Sequence, residues 1–151
     1  MEKPYTIRFA EVKDLPQIIR LCKAHAAFEE CDYTSKNKET QLEKSLFTNP
    51  VKLYCLVVAQ EELLLGYATY MTQYATWDAS EYIYMDCLFL AEGARSLGIG
   101  EKLIHTIKEE GKKLHCNHIQ WQTPDFNTRA IKFYNRIGAF SKNKERFFLT
   151  I

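Results

Sequence analysis

The sequence predicts a single mixed α/β (α+β) domain over residues 1–151, with a mostly antiparallel central sheet and four flanking helices. Three observations predict it. Two apolar runs in the first half are separated only by Gln60, Glu61 and Glu62, a link suited to an antiparallel hairpin. In the second half, strand-length runs alternate with runs of helical period, which places helices on the faces of a sheet. The chain of 151 residues suits one domain that buries roughly two-thirds of its unfolded surface.

Tyr5–Ala10 reads as the first strand, with Ile7 and Phe9 alternating with Thr6 and Arg8. Asp14 offers an N-cap and Pro16 falls in the first turn of the helix that follows. Leu15, Ile18, Ile19, Leu21, Cys22 and Ala26 carry that helix to about Phe28. A polar stretch, Glu29 to Glu39, leads to a second helix striped by Leu42, Leu46 and Phe47 and stopped at Asn49-Pro50. Leu53–Ala59 and Leu63–Thr72 form the hairpin, Tyr74–Ser80 a loop, and Glu81–Leu90 a strand rich in aromatic and branched residues. A turn, Glu92–Leu97, opens a helix from Gly98 to Leu114, with Ile99, Leu103, Ile104 and Ile107 as its buried stripe. His118–Gln122 is a strand and Asn127–Arg136 a helix; Gly138-Ala139-Phe140 and Arg146–Ile151 supply the last strand or strands. The sheet is thus expected to hold six strands, or seven if the final region splits.

Lys and Arg number 20 and Asp and Glu 19, so no global field draws the chain to nucleic acid or to an anionic membrane. The opening MEKPYTIRFA lacks the apolar core of a signal peptide, and the longest apolar runs, such as Leu53 to Ala59, are strand length. The expectation is a soluble, cytoplasmic protein. Five cysteines are scattered singly, without a CxxC, and read as reduced core residues. His115 and His118 share a helical spacing, but no further ligand accompanies them, so no metal is expected.

The informative stretch is Arg95-Ser96-Leu97-Gly98-Ile99-Gly100, between a strand and a helix. Peptide N–H groups at a helix start have no internal partner, and the helix dipole favours negative charge there. Gly98 and Gly100 remove side chains that would hold a phosphate away, and Arg95 either meets that phosphate or holds the loop in shape. The stretch lacks the Gly-Lys-[Ser/Thr] ending of a P-loop and the third glycine of a dinucleotide fingerprint; the bland alternative is a tight strand–helix turn. Downstream lies NTRAIKFYNRIGA, in which Asn127 suits an N-cap, Ile131 and Phe133 the core, Tyr134 a half-buried hydrogen bonder, and Gly138 a left-handed C-cap.

Together, RSLGIG and NTRAIKFYNRIGA resemble the two signatures of the GNAT (Gcn5-related N-acetyltransferase) superfamily, in order, spacing and flanking elements. Within it, TIRFAEVKDLPQIIRLCK, YIYMDCLFL and NTRAIKFYNRIGA are most similar to the diamine (spermidine/spermine) acetyltransferases. Cys87 stands where those enzymes often carry an acidic residue, and the segment between Ala139 and Arg146 is shorter. The resemblance implies a GNAT fold and transfer of an acetyl group from acetyl-CoA to a primary amine, such as a polyamine or other small cationic amine, in a ternary complex. It implies that Arg95, Ser96, Leu97, Gly98, Ile99, Gly100 and Glu101 hold the CoA pyrophosphate. Asn127, Ala130 and Tyr134 line the cofactor's other side, and the backbone of Leu88, Phe89 and Leu90 pairs with pantetheine as an added strand would. A backbone N–H near Leu88 would polarise the thioester carbonyl.

By the same resemblance Tyr134 is the candidate acid that protonates the departing thiolate. Asp86 is the candidate proton acceptor, directly or through water. It is the only charged residue between Tyr82 and Leu90, and alternation puts it on one face with Tyr84 and Leu88, where burial would raise its pKa. Phe28, Glu29, Glu30, Tyr84 and Asp86 are the candidate acceptor-binding residues, with Asp32 as a further acid. Cys87 beside Asp86 would offer an acyl-cysteine route, but no histidine is paired with it in the sequence pattern. The competing readings are acetylation of a peptide lysine or N-terminus, and a non-catalytic acyl-CoA sensor. A homodimer is compatible with the resemblance, since many relatives are dimers.

Overall fold

Alternating apolar residues in the first half of the chain draw it into a meander, and the computed structural model describes it over residues 4–151. Residues 1–3 of the single domain expected over 1–151 lie outside the described residues. The strands are β1 (Thr6–Phe9), β2 (Tyr54–Gln60), β3 (Leu63–Ala75), β4 (Ser80–Leu90) and β5 (Ile119–Gln120). They lie side by side in chain order, antiparallel from β1 to β4 and parallel between β4 and β5. The helices are α1 (Leu15–Phe28), α2 (Lys38–Phe47), α3 (Ile99–Lys113) and α4 (Thr128–Arg136), close to where periodicity placed them.

The two faces of the sheet feed separate cores. Cys55, Val57, Ala59, Leu64, Tyr67 and Phe89 meet Leu15, Ile18 and Leu21 of α1 and Leu46 of α2. Leu56, Val58, Ala68, Tyr70, Ile83 and Met85 meet Ile99, Leu103, Ile104 and Ile107 of α3, with Phe133 and Tyr134 of α4 and Ile137 just after it packed alongside. Each fully buried branched side chain contributes about 1.5–3 kcal/mol of transfer free energy, so most of the fold's cohesion comes from these two layers.

Three expectations need correction. The sheet has five strands among the described residues, not six or seven, because Gly138–Phe140 and Arg146–Ile151 form none. Phe147, Phe148, Leu149 and Ile151 suit a strand locally, yet a strand also needs a row of backbone partners, and among the described residues this segment pairs with no strand. The expected loop Tyr74–Ser80 shrinks to a turn of four residues, since Tyr74 pairs with Glu81 and Ala75 with Ser80. Asp14 does precede α1, but its carboxylate caps no N–H of that helix. It instead accepts two hydrogen bonds from the Arg8 guanidinium, at 2.6 and 3.0 Å, and one from the Glu11 N–H at 2.8 Å. The contact joins β1 to the start of α1, and Arg8 holds the Asp14 carboxyl below its ordinary pKa.

Candidate active site

The site begins with an irregularity in β4. Thr69 pairs with Cys87 and the next residue, Tyr70, with Met85, so Asp86 is an extra residue without a partner on β3. Such a bulge shifts the alternation by one position. Ile83 and Met85 before it face the α3 core; after it Leu88 and Leu90 do, while Cys87 and Phe89 face α1. The expectation that Asp86 and Leu88 share a face is therefore overturned. The expectation of a buried Asp86 is overturned too, because the bulge leaves it exposed.

The second feature is a gap beside β4. β5 pairs with it only at Ile83 and Tyr84. Beyond that point Met85, Asp86, Leu88, Phe89 and Leu90 line one wall of a cavity, and Trp121, Gln122 and Thr123 line another. No strand lies on that side of the second half of β4 among the described residues. Its outward backbone groups are thus available to an extended ligand.

The cavity runs to the start of α3. Gly98 is the N-cap residue, with φ of 74°, and no side chain caps the helix, so its first N–H groups remain open. The two glycines differ in what they accomplish. A Cβ at Gly98 would meet nothing within 4 Å, so the glycine serves the left-handed backbone and leaves the approach clear. A Cβ at Gly100 would come 3.3 Å from the Phe133 ring, so that glycine lets α3 pack closely against α4. Arg95 holds the loop: its Nε donates to the Leu90 carbonyl at 2.9 Å, and its guanidinium lies 4.6 Å from the Phe28 ring centre. Ser96, with φ of 64°, accepts a hydrogen bond from Arg129 of α4 at 2.9 Å.

α4 supplies the far wall. The Asn127 side chain accepts from the Ala130 N–H at 3.3 Å and starts the helix as the sequence predicts. Tyr134 reaches the cavity with its ring edge-on to Trp121, 5.1 Å between centres. Burial, with a smaller push from the charge of Glu29, raises its phenol pKa to about 12. At the end of α1, Phe28, Glu29 and His25 complete the lining. The Glu29 carboxylate can only accept, so the His25 Nε2–H donates to it at 3.1 Å, and in the neutral ring Nδ1 accepts from the Tyr67 hydroxyl at 2.9 Å. His25 also stacks on Phe89, 5.1 Å between centres. Cys87 packs toward the α1 core, and burial raises its thiol pKa to about 12, which keeps it a poor nucleophile.

A model of the acetyltransferase (GNAT) family matches residues 17–139. The chain belongs to this family. Thialysine N-epsilon-acetyltransferase of Mus musculus is 28% identical over 141 residues, covering 88% of this chain and 82% of that protein. Spermidine/spermine N(1)-acetyltransferase-like protein 1 of Homo sapiens is 25% identical over 148 residues, covering 93% of this chain but 21% of that longer protein. Among solved structures, aminoglycoside N-acetyltransferase AAC(6')-Iy in complex with CoA superposes with a TM-score of 0.83, at 17% identity over 99% of this chain and 97% of that one. At that identity the likeness concerns the fold.

Set against this GNAT framework, most of the residues singled out in the sequence converge. Asp86, Leu88, Phe89, Leu90, Arg95, Ser96, Gly98, Ile99, Gly100, Asn127, Ala130, Tyr134, Phe28 and Glu29 all border the cavity. Glu30, Tyr84, Leu97 and Glu101 do not. Glu30 points to solvent with φ of 58°, and Leu97 is exposed on the turn. Glu101 faces Arg136 at 4.0 Å, and the Tyr84 hydroxyl accepts from Gln122, which itself lines the cavity. Sequence reasoning missed His25, Trp121, Gln122, Arg129 and Arg136. His25 carried a signal, one turn before Glu29 on the same helix face. Trp121 and Gln122 follow a strand only two residues long and carried none.

Proposed function

We propose that this chain transfers an acetyl group from acetyl-CoA to a primary amine of a small cationic acceptor, by direct attack in a ternary complex. One observation supports it above the others. A single cavity joins the open N-terminus of α3 and three arginines, Arg95, Arg129 and Arg136, to the carboxylates of Asp86 and Glu29 and the phenol of Tyr134. Asp86 stands four residues back along β4 from Leu90, about 13 Å at strand rise. That separation gives the site room for an anionic diphosphate near the turn and a cationic amine near the bulge.

In this reading the pyrophosphate rests on the N–H groups of Gly98 to Glu101, and pantetheine runs along Leu88–Leu90. The neutral amine attacks the thioester carbonyl, the carbon–sulfur bond breaks, and the sulfur takes its proton from Tyr134. The nitrogen loses its proton to water held by the exposed Asp86. The names of the two relatives, an acetyltransferase of thialysine and one of the spermidine/spermine type, support an aliphatic amine as acceptor.

The test is a panel of diamines, amino acids, neutral amines and lysine peptides with acetyl-CoA, followed by thiol release. Cationic small amines should give the highest kcat/KM; a preference for peptides would overturn the acceptor class, and no turnover with any would overturn the activity. Glu29→Gln should raise KM for a diamine about fivefold, the worth of one partly screened charge contact, and leave KM for a neutral amine unchanged. Equal effects on both acceptors would remove Glu29 from acceptor recognition.

A further inference from the structure

Glu29 is the C-cap residue of α1, where the helix dipole presents its negative end. A carboxylate left to itself there would turn toward water, and a glutamate side chain has rotamers enough to do so. It is held instead. His25, one turn earlier, donates Nε2–H to its Oε1 at 3.1 Å, and both residues line the cavity. The His25 ring is in turn fixed by the sheet. Nδ1 lies 2.9 Å from the Tyr67 hydroxyl of β3. The ring stacks on Phe89 of β4 with 20° between planes, and stands edge-on to Tyr67 with 71° between planes. In the neutral ring these contacts admit one tautomer, because a proton on Nδ1 would set the lone pair of Nε2 against the carboxylate. Tyr67 is 2% exposed and does not border the cavity. A buried hydroxyl behind the wall thus decides which hydrogen the wall presents. A carboxylate accepts at both oxygens, so Oε2 of Glu29 stays open while Oε1 is engaged.

We propose that His25 is a positioning residue for acceptor recognition: anchored by the buried Tyr67 hydroxyl, it holds the Glu29 carboxylate in place for the ammonium group of a cationic acceptor. The inference rests on the reading of Glu29 given above. The role requires no contact between His25 and the reacting atoms. It lies in ordering a flexible acid before the acceptor arrives, so that binding does not have to order it. A neutral amine gains nothing from that order, and a cationic one does. His25 therefore acts on the choice between acceptors.

The experiment reads the ratio of KM for a diamine to KM for a neutral amine, with acetyl-CoA saturating. His25→Leu should raise that ratio about threefold, the worth of holding one flexible side chain in place. His25→Gln should restore most of it, because its amide can donate to Glu29 and accept from Tyr67. Tyr67→Phe, which changes nothing on the cavity wall, should raise the ratio about twofold. His25→Leu combined with Glu29→Gln should do no more than Glu29→Gln alone, since His25 acts through that carboxylate. A ratio unmoved by His25→Leu or by Tyr67→Phe overturns the proposal. So does a ratio moved equally by His25→Leu and His25→Gln, or a double variant whose effect is the product of the two single ones. If His25→Leu does not fold, Tyr67→Phe decides alone. Glu29→Gln without effect overturns the acceptor reading and the positioning role together. Glu29→Gln with its effect, beside a silent His25→Leu, overturns the positioning role and leaves the acceptor reading standing.

Discussion

Replacing Tyr134 with phenylalanine should lower kcat about a hundredfold, the lower end of what a positioned proton donor contributes, and leave the affinity for CoA unchanged. The phenylalanine ring keeps the edge-on contact with Trp121, so the wall of the cavity survives and only the hydroxyl is lost. Steady-state kinetics give kcat, and calorimetry with CoA gives the affinity. A joint loss of both would make the phenol part of the binding surface, and no loss of either would take it out of the reaction. The pH profile adds an independent check. Burial holds the Tyr134 phenol at about 12, so its acid form persists through neutral and mildly alkaline pH. The wild-type rate should rise as the amine deprotonates and show no falling limb from Tyr134 below about pH 11.

Arg8→Met should lower the stability of the fold measurably. Asp14 is 3% exposed, and Arg8 supplies two of its hydrogen bonds. Removing the guanidinium leaves a buried carboxylate with one backbone donor, at a cost of about 2–3 kcal/mol, because Arg8 itself is partly open to solvent. A drop in Tm of roughly 5–10 °C follows for a chain of this size. The sign of the pH dependence is fixed by the depressed pKa of Asp14. In the wild type the contribution is fully present above the unfolded value near 4 and fades as pH falls through the folded value. In the variant, protonation relieves the unpaired charge instead, so the gap between the two proteins should narrow below about pH 4. Denaturant melts at pH 7 and pH 3.5 measure both, and a constant gap would show that the pair carries no linkage. Replacing both residues, Arg8→Met with Asp14→Leu, should recover part of the loss, since no orphaned charge remains.

What could be read from the sequence follows the range of each signal. The four helices were legible because their apolar periods and stops lie within a few residues: Leu103, Ile104 and Ile107 for α3, and Asn127 with Gly138 for the ends of α4. The hairpin of β2 and β3 was legible for the same reason. The glycine turn and Tyr134 could be singled out because one lies at a helix start and the other on a helix, and both border the cavity. The face of Asp86 was not legible, since a bulge is decided by how two strands match in register. Trp121, Gln122 and Arg136 come to the cavity only through the splay of β4 from β5 and the docking of α4, both set by packing. The final strands failed because local propensity names a conformation but supplies no neighbour for it.

The slip at Asp86 makes β4 a ribbon with its two halves out of phase. Excising that residue would restore an unbroken ladder with Cys87 and Phe89 still toward α1 and Leu88 and Leu90 still toward α3, so both cores would survive and only the exposed carboxylate would go. Adding a residue to a regular stretch of β4 would be the damaging change, since it turns the side chains beyond it to the opposite layer. Indels must collect in places such as the segment from Ala139 to Arg146, where no ladder keeps time.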